Sequence, residues 1–252
     1  MASSSNAIIS NASSSTTNTT SSTVSTGTVS TTNTTTTSIG VCWNSTAITV
    51  AGTAGIEDVA ADRFDRPFGI TLDSSNALYI SDQNNNRVQK WLAGASTGTT
   101  VAGQASAVGG TASKSLDTPS GVLLDSSGNI YVVDTNNFRI QYWSSGASSG
   151  TTISGITGSA SSGNNELMNP YGIARDPSSS TLYIADQSNH RVMSYLAGAS
   201  SGTVAAGGNG LGTSNTQLNY PVGVYFCENQ SAQKKCKANV PVLVSRYGIL
   251  QK

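Results

Sequence analysis

The sequence predicts an all-β fold assembled from repeated four-stranded antiparallel units, and three observations carry that expectation. Proline recurs at Pro67, Pro119, Pro170 and Pro221, with spacings of 52, 51 and 51 residues. Each proline is followed two residues later by glycine, at Gly69, Gly121, Gly172 and Gly223. Between these markers the apolar runs are only four to six residues long and are bounded by turns rich in Asp, Asn and Ser. Such runs are too short for three turns of helix and suit strands. A period of this size marks tandem units that bury their apolar surface against their neighbours.

Within the period the elements follow in a constant order. The first strand is Ile70-Thr71-Leu72, Val122-Leu123-Leu124 and Ile173-Ala174-Arg175, and each copy runs into a turn opened by Asp73, Asp125 or Asp176. The second is Leu78-Tyr79-Ile80-Ser81, Ile130-Tyr131-Val132-Val133 and Leu182-Tyr183-Ile184-Ala185, closed by Asp82, Asp134 and Asp186. Five residues further on, Arg87, Arg139 and Arg191 open the third. The fourth is Thr99–Gly103, Thr151–Gly155 and Thr203–Gly207; before the first and last of these, residues 93–98 and 197–202 read as hairpin turns. Four antiparallel strands per period make a propeller blade.

The blades are expected at about 64–103, 116–155 and 167–207, with a degenerate fourth at 218–252. In that fourth unit Cys227-Glu228-Asn229 replaces the Asp turn and the D-x-x-N-x-R motif is missing. Val240–Val244 and Tyr247–Leu250 read as its second and third strands, although Pro241 suits only an edge or a strand start. Residues 46–52 read as the last strand of a further blade. Residues 41–252 are therefore expected to form three full blades and a partial fourth, an incomplete propeller whose unpaired blade edges invite self-association or a partner.

The P-x-G start, the L-Y-I-x-D second strand and the D-x-x-N-x-R turn together resemble the NHL repeat over roughly residues 46–225, and Asn189-His190-Arg191 falls where that family often has an Asn-His pair. The resemblance implies a β-propeller, commonly six-bladed. It also implies one of several roles: protein-interaction platform, RNA-binding domain, extracellular sensor, or a lyase that holds zinc with several histidines.

Ahead of the repeats, residues 1–40 are dominated by Ser, Thr and Asn, and the first charged residue of the chain is Glu57. Such a segment buries too little apolar surface to offset the entropy of ordering, so a disordered tail is expected. Sequons begin at Asn11, Asn18, Asn33, Asn44 and Asn229, and they lean toward a glycosylated extracellular protein, although a Ser/Thr/Asn-rich tract generates them by composition alone. The chain starts without the charged and apolar regions of a secretory signal, and no stretch has the length and apolarity needed to span a bilayer.

Charge and cysteine content narrow the function classes. Thirteen basic residues balance thirteen acidic ones, and Lys234, Lys235 and Lys237 form the only dense basic cluster, which argues against a nucleic-acid partner. Cys42, Cys227 and Cys236 match no zinc signature. Cys227 and Cys236 read either as a disulfide, in an oxidising compartment, or as two buried thiols. His190 is the only histidine, so a multi-histidine zinc site cannot be assembled, and no metal or cofactor is expected.

What remains is a non-catalytic binding module that meets a protein or glycan partner with one loop face. Phe68, Ser120, Tyr171 and Val222, between Pro and Gly, are expected at the channel mouth on that face. The turns after the second strands, which carry Asn85, Asn137, Phe138 and His190, are expected beside them. The Asp82–Arg87, Asp134–Arg139 and Asp186–Arg191 pairs are read as structural, because a repeated turn explains a repeated pair and an active site is built once. The alternatives are a lyase or lactonase with a metal in the channel, which would need several ligands converging there, and an RNA-binding domain, which would need a basic top face.

Overall fold

A computed structural model of the protein describes residues 7–8, 12–17, 38–43, 47–226, 242–246 and 249–250. Ala7–Val50 forms one unit. It contains β1 (Ala7–Ile8), β2 (Ala12–Thr17) and β3 (Ser38–Trp43), with β2 and β3 antiparallel and Ala12 opposite Trp43. β4 (Thr49–Ala51) lies in the stretch expected to close a blade, and it pairs with β1 in a two-stranded sheet. The rest of the stretch expected to be a disordered tail lies outside the described residues, as do Cys227, Cys236 and the Lys234, Lys235, Lys237 cluster.

The unit that begins at Ala51 is a series of meanders. The first blade is β5 (Pro67–Leu72), β6 (Leu78–Asp82), β7 (Arg87–Trp91) and β8 (Thr99–Gly103). The second is β9 (Pro119–Leu124), β10 (Ile130–Asp134), β11 (Arg139–Trp143) and β12 (Thr151–Gly155). The third is β13 (Pro170–Arg175), β14 (Leu182–Asp186), β15 (Arg191–Tyr195) and β16 (Thr203–Gly207). A fourth, three-stranded sheet follows with β17 (Gly223–Phe226), β18 (Val242–Arg246) and β19 (Ile249–Leu250). Within each blade every strand pairs antiparallel with its sequence neighbour, as two-residue periodicity and short turns require.

Register explains the spacing of the motif. Asp82 lies opposite both Pro67 and Arg87, and Arg87 lies opposite Gly103, so the four signature residues form one row across the end of the blade. The rows through Asp134 and Asp186 repeat it. A register shift also recurs at the same point between third and fourth strands, after Val88, Ile140 and Val192. Such a bulge adds local twist to a blade.

The core lies between blades rather than inside them. Alternate residues of a strand point to opposite faces, so each blade buries one set against the preceding blade and the other against the next. Tyr79, Val88 and Ala102 of the first blade meet Val122, Ile130, Val132 and Trp143 of the second. Val133 and Ile140 of the second meet Leu182, Ile184, Met193 and Tyr195 of the third, and Ala174 and Val192 of the third meet Val224 of the fourth sheet. The Leu-Tyr-Ile run is thus a two-sided strand, with Leu and Ile on one interface and Tyr on the other.

Close approach of the inner strands accounts for the glycine of P-x-G. A Cβ on Gly121 would come within 2.6 Å of the Tyr171 carbonyl oxygen, and one on Gly69 or Gly172 would collide with the carbonyl of Ser120 or Val222. β5, β9, β13 and β17 therefore stand side by side and line one concave surface.

Candidate partner-binding face

The turn after each second strand is built around a buried carboxylate. Asp82 Oδ2 accepts from Arg87 Nε at 2.8 Å, Asp134 Oδ2 from Arg139 Nε at 2.8 Å and Asp186 Oδ2 from Arg191 Nε at 2.7 Å. The other oxygen accepts from the backbone N–H of Asp65, Asp117 or Met168 at 2.6 to 2.7 Å. The terminal guanidinium nitrogens donate to backbone carbonyls of the connecting loop, such as Val59 and Ala60 in the first blade and Ser162 and Gly163 in the third. Each pair thereby ties the loop that enters a blade to the middle of that blade. Burial pushes all three carboxyls up against the pull of these donors, so the pair fixes geometry at a desolvation cost.

Several residues expected on the partner-facing rim turn inward instead. Asn85 and Asn137 are buried, where their amides donate to Asp82 and Asp134 and to the carbonyls of Asp58 and Gly110. The exposed tip of each turn is one residue earlier, at Asn84 and Asn136. Ser120 is fully buried, and its hydroxyl contacts Thr135 Oγ1 at 2.7 Å and donates to the Tyr171 carbonyl at 2.9 Å. A small hydroxyl fits there because the first and third blades crowd over it from either side.

Phe68 and Tyr171 do stand at the mouth. Phe68 is 47% exposed, and its ring meets the Tyr171 ring edge-on at 5.4 Å, across the buried Ser120. Below them the inner strands enclose an open cleft of about 800 Å³ walled by Ile70, Leu123, Ile173, Tyr225 and Phe226, with Arg175 and Gln187 as its longer polar residues. Tyr225 and Tyr220 add exposed rings on the fourth sheet and on the residue before Pro221. Periodicity left both unmarked, since the other units have non-aromatic residues in those positions; Tyr220 was legible only as the residue beside a repeated proline.

The carboxylates that close the first strands are engaged within their own turns. Asp73, Asp125 and Asp176 sit in the turns at the opposite ends of the first strands, where Asp73 accepts from Ser75 and Ala77, Asp125 from Ser127 and Asn129, and Asp176 from Ser178 and Ser179. Among the described residues no three of His, Cys, Asp and Glu gather as metal ligands do.

Residues 64–91 and 116–142, which hold the first three strands of two blades, match the model of the NHL repeat. The chain carries NHL repeats. No curated protein matches it in sequence. Among solved structures the chain is similar to an auxiliary nutrient binding protein from Bacteroides thetaiotaomicron, at 16% identity and TM-score 0.50, over 70% of this chain and 44% of that one. Another from Bacteroides ovatus shares 9% identity at TM-score 0.52, over 79% of this chain and 53% of that one. A catalytically inactive virginiamycin B lyase from Staphylococcus aureus shares 13% identity at TM-score 0.42, over 72% of this chain and 49% of that one, a likeness too low to carry weight. At these identities the first two likenesses establish a shared fold, and the chain spans about half the length of those proteins.

The Asn-His position of the NHL motif has a structural role here. Asn86, Phe138 and His190 all adopt left-handed backbone, with φ of 51°, 56° and 52°. Asn86 Oδ1 accepts from the Thr118 N–H at 2.8 Å and His190 Nδ1 from the Tyr220 N–H at 3.3 Å, in each case the residue before the proline of the next blade. The His190 ring also meets Tyr220 edge-on at 4.5 Å. An acceptor at this position couples one blade to the next. Phe138 has no acceptor to offer and packs half-buried.

Proposed function

We propose that the chain is a non-catalytic binding module whose loop-bearing face meets a protein or glycan partner. The observation that carries this reading is the pair of rings Phe68 and Tyr171, in contact at the mouth of an apolar concave surface. Exposed aromatics at the centre of a polar rim are the residues that dominate binding energy in interfaces. The Asp82–Arg87, Asp134–Arg139 and Asp186–Arg191 pairs support the reading, because these six charges are spent on each other and on the backbone. The fold is shared with proteins named for nutrient binding, which is compatible with a binding role and says nothing of the ligand here.

The test is a screen of the immobilised chain against glycan and protein panels, followed by Phe68→Ala and Tyr171→Ala. Binding that weakens about tenfold or more in each variant, and is retained in the control Leu92→Ser, supports the loop face. Binding indifferent to both aromatic substitutions, or lost in the control alone, overturns it.

A further inference from the structure

The tandem blades act as internal controls for one another, and two positions depart from the pattern at the same junction. The sixth residue of the first strand is Leu72, Leu124 and then Arg175; the fourth residue of the last strand is Ala102, Ser154 and then Ala206. Both polar departures face the junction between the second and third blades, Arg175 at the end of the inner strand away from the loop face, opposite Leu182, and Ser154 on the outer strand, opposite Ile140 and one residue from the Asp134–Arg139 row. There they help line a cleft of about 570 Å³ together with Tyr131, Tyr142, Leu182 and Tyr195.

Neither polar group is fully satisfied by the protein. Ser154 is 4% exposed and its hydroxyl has no hydrogen-bond partner; Arg175 Nε is likewise buried and unpartnered. Arg175 Nη2 donates to Ser180 Oγ at 2.5 Å, and its guanidinium lies 6.0 Å from the centre of the Tyr131 ring. Among the described residues Arg175 makes no ion pair. In the first blade the matching chemistry is closed internally, since Lys90 pairs with Asp73 at 3.2 Å and lies 5.0 Å from the centre of the Tyr79 ring. In the second blade Tyr142 replaces Lys90, and the cation comes from the third blade; Asp125, the counterpart of Asp73, feels the Arg175 charge but is not in ion-pair contact with it. Leaving buried donors unpaired destabilises a fold, and the other blades show that apolar residues fit both positions.

We propose that this cleft binds a small carboxylate with a single-ring body. Its volume is that of a small-molecule site. Arg175 is the only charged residue lining it, which selects an anion over a cation. The tyrosines and Leu182 supply flat and apolar walls for a ring, and the Ser154 hydroxyl gains a partner when a ligand oxygen fills the cleft. A sugar acid and an aromatic acid share this chemistry.

Isothermal titration and saturation-transfer NMR of the whole chain with glucuronate, benzoate and glucose test the proposal. Binding of glucuronate or benzoate but not glucose, weakened about tenfold or more by Arg175→Leu and also weakened by Ser154→Ala, is the expected result. Glucuronate alone assigns a sugar acid and benzoate alone an aromatic acid. Because both substitutions install residues that other blades carry, the fold should persist, and Ser154→Ala should raise the unligated Tm while it weakens binding, the pattern of a functional residue held against stability. Absence of binding by both acids, equal binding of glucose, or affinity unchanged in Arg175→Leu overturns the proposal.

Discussion

Individual side chains in this protein serve one blade or couple two, and the distinction sets what their removal costs. Asp176 serves one turn: hydrogen bonds from Ser179 and Ser178 lower its carboxyl from 3.8 to about 2. Its folded value lies below its unfolded one, so its contribution is complete above about pH 4 and is lost as pH falls toward 2. Urea titrations of Asp176→Ala should show destabilisation at pH 6 that vanishes near pH 2. His190 couples two blades. His190→Asn restores the acceptor that Asn86 supplies in the first blade and should change stability by less than about 0.5 kcal/mol. His190→Val removes the acceptor and forces a β-branched residue to φ near 52°, and should cost about 2 kcal/mol in the same assay.

At the level of the element, the repeat motif is a set of geometric requirements rather than a set of reactive groups. Arg139 reaches its aspartate and three loop carbonyls through a planar fork that lysine cannot reproduce. Arg139→Ala leaves Asp134 buried without its counter-ion and should cost about 3–5 kcal/mol. Glycines separate in the same way. Gly121→Ala drives a methyl group into the backbone of the next inner strand, which has no side-chain rotation to relieve it, and should cost about 3 kcal/mol or prevent folding. Gly146 has φ of 78° and open space around it, so Gly146→Ala should cost only about 1 kcal/mol of backbone strain. Chemical denaturation of the two variants side by side reads the difference.

Over the whole array, stability is divided among the interfaces between blades. Trp143 belongs to the second blade but packs with Tyr79, Val88 and Ala102 of the first. Trp143→Ala should cost about 3–5 kcal/mol, and amide exchange should speed up in β6 and β7 as well as in β10 and β11. Protection lost from the second blade alone would show that blades carry their own cores. The same interfaces explain why the junction between the second and third blades can hold a cleft, since polar residues there do not disturb the other junctions.

The strands, their order and their turns were legible in the sequence because two-residue periodicity and turn chemistry are local properties, and three copies in register remove the ambiguity of any one. The Asp–Arg spacing was legible for the same reason: five residues span one tight turn and return to the opposite position on the next strand. Exposure was not legible. Asn85 and Asn137 read as rim residues but turn inward, because a single extra residue of a tight turn decides whether an amide faces the solvent or the aspartate behind it. Ser120 occupies the same motif position as Phe68 and Tyr171, yet only its neighbours across two blades decide that it is buried while they are not. The cleft that Ser154 and Arg175 both line, from positions 21 residues apart and on different blades, exists only once the blades are stacked. Sequence determined the unit, because a unit is made of local contacts; tertiary structure decided the surfaces, because each surface is shared between units that the chain brings together only on folding.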